Sequence, residues 1–166
     1  LNRLNNQPSM LNIRGGDISY VAEDDETCDA ISVPENNILY IYGGTISSTM
    51  ALNGTIRNEG RVNICGGTIK NTSNSTSATA CRAIYTSSKG TINIYGGEIS
   101  SSNGYAIFNN NGQLNISNAA KITGDINKYN TYLLSDDAPL EIKNGFAVDR
   151  IEYKRGASNT FGTVCL

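Results

Sequence analysis

Five segments of this chain repeat one another. They are Leu11-Asn-Ile-Arg-Gly-Gly-Asp-Ile-Ser19, Leu39-Tyr-Ile-Tyr-Gly-Gly-Thr-Ile-Ser47, Val62-Asn-Ile-Cys-Gly-Gly-Thr-Ile-Lys70, Ile92-Asn-Ile-Tyr-Gly-Gly-Glu-Ile-Ser100 and Leu114-Asn-Ile-Ser-Asn-Ala-Ala-Lys-Ile-Thr123. The last has Asn-Ala-Ala in place of Gly-Gly and is one residue longer. A shorter motif alternates with the first: Asp29-Ala-Ile-Ser32, Gly54-Thr-Ile-Arg57, Arg82-Ala-Ile-Tyr85 and Gly104-Tyr-Ala-Ile-Phe108. The glycine pairs begin at residues 15, 43, 66 and 96, with Asn118 in the fifth place, so the steps are 28, 23, 30 and 22 residues. A period of roughly 20–30 residues is that of a stacked solenoid, in which each repeat buries its apolar face only against its neighbours.

Within the long motif every second residue is apolar, the pattern of a strand with one buried face. Ile13, Ile41, Ile64, Ile94 and Ile116 then form one inward column, and Ile18, Ile46, Ile69, Ile99 and Ile122 a second. Ile31, Ile56, Ile84 and Ile107 of the short motif form a third. Gly-Gly between two short strands lets the backbone turn a corner that a side chain would obstruct. Three short strands per turn, stacked about 4.8 Å apart, make an all-β, single-stranded, right-handed parallel β-helix, expected here with about five to six coils. A leucine-rich repeat of similar period needs helical stretches with leucine anchors, and the chain has none.

The length of 166 residues suits one domain. Residues 1–10 read as a lead-in or N-terminal cap, 11–124 as regular coils, and 125–166 as irregular final coils with a C-terminal cap that protects strand edges. No apolar run approaches the roughly 18–20 residues needed to cross a bilayer, so no membrane insertion is expected. With 13 Lys and Arg against 15 Asp and Glu and no basic patch, the chain is not expected to bind nucleic acid. It has no histidine, which removes the commonest general base, the commonest metal ligand and the serine and cysteine triads built on it.

The motifs Ile41-Tyr-Gly-Gly-Thr-Ile-Ser, Tyr105-Ala-Ile-Phe-Asn-Asn-Asn-Gly and Gln113-Leu-Asn-Ile-Ser resemble the coils of parallel β-helix surface proteins of Gram-positive gut bacteria, over about residues 11–124. The wider pectate-lyase-like fold is shared with lyases and with calcium-dependent cellulose-binding proteins, so the fold does not select an activity. The resemblance implies secretion, display at the cell surface as part of a longer surface protein, and cysteines left free by a reducing habitat. The cysteine spacing itself shows no disulfide framework. Cys28 and Cys81 share a register two coils apart, about 9.6 Å, beyond the reach of a disulfide.

Candidate binding residues come from the outward positions. The residue before Gly-Gly runs Arg14, Tyr42, Cys65, Tyr95, Ser117, with Tyr40 beside it. Asn12, Asn63, Asn93 and Asn115 form a neighbouring column, interrupted by Tyr40 and suited to an amide ladder. Tyr40, Tyr42 and Tyr95 can stack on sugar rings while Arg14, Asn63 and Asn93 supply hydrogen bonds; the same residues can equally be cross-strand packing. The connections at 20–29, 48–54, 71–82 and 101–105 vary in length along one edge, which offers a second surface for a partner. Glu23, Asp24, Asp25, Glu26 and Asp29 suit calcium, or else make a solvated loop; no EF-hand spacing accompanies them, and no other cofactor is expected.

Catalysis finds less support. A lyase needs calcium-binding acids and a base, and Arg57, Arg61 and Arg82 fall near coil corners in no evident register with acids. A glycosidase needs two carboxylates about 5–9.5 Å apart. In the outward column Asp17, Thr45, Thr68, Glu98, Lys121 the two acids are three coils, or about 14 Å, apart. The Thr-x-Thr repeats of an ice-binding face are missing. The expected function is a non-catalytic extracellular adhesion module that binds glycan or a host surface protein. The alternatives are a polysaccharide lyase and a structural spacer.

Overall fold

A computed structural model describes residues 8–21, 29–49, 54–75, 81–87, 89–110, 112–116, 120–124, 131–133, 140–142, 147–148, 150–154 and 161–165, with the backbone course alone beyond residue 122. Strands β1 (Met10–Ile13), β2 (Asp17–Tyr20) and β3 (Ile31–Val33) make the first turn; β4 (Ile38–Ile41), β5 (Thr45–Ser48) and β6 (Gly54–Asn58) make the second. The third has β7 (Arg61–Ile64), β8 (Thr68–Asn71) and β9 (Arg82–Thr86), and the fourth β10 (Thr91–Ile94), β11 (Gly97–Ser101) and β12 (Tyr105–Asn109). Beyond these run β13 (Gln113–Ile116), β14 (Ala120–Gly124), β15 (Thr131–Leu133), β16 (Leu140–Ile142), β17 (Ala147–Val148), β18 (Arg150–Lys154) and β19 (Phe161–Cys165).

Every third strand pairs in parallel, giving three walls. The first is β1-β4-β7-β10-β13-β16, the second β2-β5-β8-β11-β14-β17, and the third β3-β6-β9-β12-β15-β18. On the third, β19 adds antiparallel to β18 and turns the chain back along the end of the ladder. The protein is thus an all-β parallel solenoid. Its count of about four regular turns is slightly lower than the expected five to six. The four regular turns are the ones with a glycine corner between the first and second walls. Gly16, Gly44, Gly67 and Gly97 hold φ between 85° and 89°, and no fifth glycine pair follows. A Cβ on Gly44 would lie 2.5 Å from the Gly16 carbonyl oxygen, and one on Gly67 or Gly97 2.8 Å from that of the glycine below. Glycine is required there by both backbone angle and contact distance.

The three isoleucine columns stack as the period-two pattern requires. Ile13, Ile41, Ile64, Ile94 and Ile116 are in register in the first wall. Ile18, Ile46, Ile69, Ile99 and Ile122 are in register in the second, and Ile31, Ile56, Ile84 and Ile107 in the third. From Leu39 to Ile122 these inward residues are essentially inaccessible and form one core. Each such burial is worth about 1.5–3 kcal/mol before chain entropy is counted. Coverage is weaker at the first turn, where Leu11 is 37 % exposed while its ladder equivalents Leu39, Val62, Ile92 and Leu114 are at 0 %.

Polar residues clasp the corners from within. Asn58 Nδ2 donates to the Thr91 carbonyl and Asn58 Oδ1 accepts from Gly60 N; Asn109 makes the same pair of bonds with Gly112. Asn71 Nδ2 donates to the Arg82 carbonyl and its Oδ1 accepts from Ser73 N. These amides satisfy turn backbone that the solenoid removes from water.

Candidate functional site

The outer side of the first wall carries three columns of side chains. Met10, Ile38, Arg61, Thr91 and Gln113 form the first, and Asn12, Tyr40, Asn63, Asn93 and Asn115 the second. The third follows the strand ends: Tyr42 N donates to Ile13 O, Cys65 N to Ile41 O and Tyr95 N to Ile64 O, which places Arg14, Tyr42, Cys65 and Tyr95 on successive turns. Tyr42 and Tyr95 are therefore two turns, or about 9.6 Å, apart along the axis.

The rings in this set are not equivalent. Tyr40 and Tyr42 are parallel, with centroids 5.9 Å apart and planes within 7°. The Arg14 guanidinium lies 5.0 Å from the Tyr42 ring centroid. Tyr42, 43 % exposed, thus already has a ring partner and a cation. Tyr95 is 54 % exposed and makes no ring or cation contact with the described residues.

The amide ladder forms across three turns, and one of its members, Asn63, is withdrawn from the surface. Asn93 Nδ2 donates to Asn63 Oδ1 at 2.8 Å, and Asn115 Nδ2 donates to Asn93 Oδ1 at 2.7 Å. Asn63 is only 4 % exposed, so it braces the wall and is not placed to reach a ligand. Asn93 is half-buried and its amide is engaged on both sides. Tandem amides prefer one another here because each carbonyl stands one strand spacing from the next donor.

Of the acidic residues suited to calcium, Glu23, Asp24, Asp25 and Glu26 lie outside the described residues, as does Cys28. Asp29 is half-buried, and its Oδ1 has no hydrogen-bond partner among the described residues. Burial pushes its carboxyl above the ordinary aspartate value, against the opposing pull of the Arg57 charge and the Gly54 backbone N–H. Among the described residues no three metal-ligating groups gather. On the second wall, Asp17, Thr45, Thr68, Glu98 and Lys121 stand in ladder register, with Lys121 Nζ 3.4 Å from Glu98 Oε1. Two turns of threonine separate its acids.

A further cluster on the outer side of the third wall escaped the sequence reading. The Arg82 guanidinium lies 3.9 Å from the Phe108 ring centroid and 5.3 Å from that of Tyr85. Tyr85 and Phe108 stack at 5.9 Å, and Tyr105 packs on Phe108 at 5.4 Å. The signal was present: the residue after isoleucine in the short motif runs Ser32, Arg57, Tyr85, Phe108, becoming aromatic along the axis. Cys65 is a free, exposed thiol and Cys81 a free, buried one.

A comparison of the chain with protein-family models, with curated proteins and with solved structures gave no match in any of the three.

Proposed function

We propose that this domain is a non-catalytic binding module, displayed outside the cell as part of a longer surface protein, that presents the outer side of its first wall to a glycan. The observation that carries the reading is Tyr95. It is a large ring left 54 % exposed on a wall made rigid by ladder hydrogen bonds and a continuous amide row. An exposed aromatic ring carried on a rigid strand offers an apolar face to a sugar ring with little backbone ordering to be lost on binding. Tyr42 and Arg14 form a second contact point on the same column, where the guanidinium can donate to sugar hydroxyls. Affinity on so open a surface is expected to be weak and to depend on several contacts together.

The test is a glycan array probed with the isolated domain, followed by titration of any ligand with Tyr95→Ala. The variant is expected to bind about threefold to tenfold more weakly with an unchanged melting temperature. A domain that binds no glycan is a spacer or meets a protein partner, and release of unsaturated products from polyuronates would make it a lyase. Either result, or parental binding by Tyr95→Ala, overturns the reading.

A further inference from the structure

The corners between the third and first walls are unequal. Residues 34–37 join β3 to β4 and residues 87–90 join β9 to β10, but Glu59 and Gly60 alone join β6 to β7. One short turn between two long ones leaves a recess of about 610 Å³ beside the third turn of the solenoid. That volume lies in the range of small-ligand sites, roughly 300–1,000 Å³. Gly60 lets this short turn pack tightly on the one below: a Cβ there would lie 2.4 Å from the Asn37 carbonyl oxygen and 2.5 Å from that of Pro34.

The ionic groups lining the recess are unevenly matched. Lys89 Nζ reaches back two turns to Glu35 Oε2 at 2.9 Å, and Glu59 Oε1 is held by Arg57 Nη2 at 2.7 Å. Arg61 is exposed and has no ion pair or side-chain hydrogen bond among the described residues. With Lys89 paired to Glu35 and Arg57 to Glu59, Arg61 is the one cation left over among the described residues of the recess, so a second negative charge on a ligand would meet two carboxylates with no further cation to offset it. A single carboxylate matches the one guanidinium fork left over. Arg61 also stands between Ile38 and Thr91 in the first column of the wall, two residues before Asn63 on its own strand and diagonal to Tyr40 on the neighbouring one. Tyr95 lies one turn further and about 13 Å across the wall in the strand direction.

We propose that this recess receives the carboxylate-bearing sugar of an acidic glycan, with Arg61 as its anion contact, while the neighbouring sugars run over the first wall towards Tyr95. The class of ligand rests on the glycan reading above; the site rests on the recess and on Arg61. The experiment titrates the whole domain with 3′-sialyllactose, with a glucuronate-terminated trisaccharide and with neutral lactose. At least one acidic probe is expected to bind about tenfold or more tightly than lactose, and the advantage should shrink as salt rises. Arg61→Gln should abolish the advantage at an unchanged melting temperature, and Arg61→Lys, which keeps charge but loses the fork, should retain part of it. No preference for either acid, or a preference that survives Arg61→Gln, overturns the recess. Tyr95→Ala separates the two ideas. An Arg61-dependent preference that ignores Tyr95→Ala upholds the recess and sinks the wall, whereas lactose binding weakened by Tyr95→Ala with no acid preference does the reverse.

Discussion

Two outer faces of one solenoid carry the same contact, an arginine over an aromatic ring, in opposite states of hydration. On the first wall Arg14 covers Tyr42, and both remain exposed. On the third wall Arg82 lies over Phe108 and Tyr85, and Phe108 and Tyr105 are only 7 % and 5 % exposed. Burial there lowers the Arg82 pKa from its usual high value, and Arg82 Nε has no hydrogen-bond partner among the described residues. A cation over a ring is worth about 0.5–1 kcal/mol at an exposed site and about 2 or more when desolvated. The third-wall cluster is therefore a packing unit, with little surface left for a ligand. The first-wall set gives up that stability and keeps area that a partner can cover.

The comparison presupposes that both faces are the backs of walls stacked on isoleucine, and the largest expected effect removes that premise. Ile64 is fully buried in the inward column, and no described charge faces it there. Ile64→Asp places a carboxylate in a dry stack, at a cost of several kcal/mol and comparable with the whole stability of a domain, about 5–15 kcal/mol. The variant should lack a β-type circular dichroism spectrum and a cooperative melt. A variant that melts as the parent does would mean that the register of all three walls is wrong.

The next effect sets the two faces directly against each other. Phe108→Ala is expected to cost about 3–5 kcal/mol, as for other buried aromatics. Tyr42→Ala, the exposed counterpart, loses a cation-ring contact and a stacked neighbour at the surface and should cost only about 1 kcal/mol. Chemical denaturation of the two variants side by side measures the contrast. Equal losses would make the first-wall rings packing residues and remove the basis for a glycan face.

The inward side of the walls was legible in the sequence because it repeats. Isoleucine at every second position and Gly-Gly at each corner specify register turn by turn, and Ile41, Ile64 and Ile94 stand where that pattern puts them. The exterior is legible only where a column repeats too, as with Asn63, Asn93 and Asn115. Arg82, Tyr85, Tyr105 and Phe108 occupy equivalent places in two copies of the short motif, but the aromatic and basic side chains there do not recur in the earlier copies, so only the stacking of those two turns reveals the cluster. Asn58 and Asn109 look like solvated turn residues, yet both are at 0 % exposure because their amides close the corners from inside. The recess depends on a two-residue difference in turn length, which cannot be read until strand ends are fixed. Asn63 shows the remaining gap: alternation placed it outward, but its neighbours on the wall bury it.

The smallest effect lies at the foot of the third wall, where burial is partial, and it tests whether desolvation governs this side of the molecule down to its first turns. Asp29 precedes β3, and Arg57, which opposes the rise of its pKa, stands in ladder register with Tyr85. Burial raises the Asp29 carboxyl above 3.8, its ordinary value and the one it regains on unfolding. Between those two values the folded chain holds more protons than the unfolded one. Stability from this group is therefore fully present below the unfolded value, falls as pH rises through the window, and is level above the folded value. Asp29→Asn should remove that slope and leave every other acid transition in place. Denaturation midpoints for parent and variant across the acid range would reveal the difference as a gap that opens with rising pH and then stays constant. Arg57→Gln, which removes the opposing charge, should carry the window to higher pH. A gap of opposite sign, with the parent gaining on the variant as pH rises, would mean that Arg57 and the Gly54 amide outweigh burial and that this end of the third wall is wet.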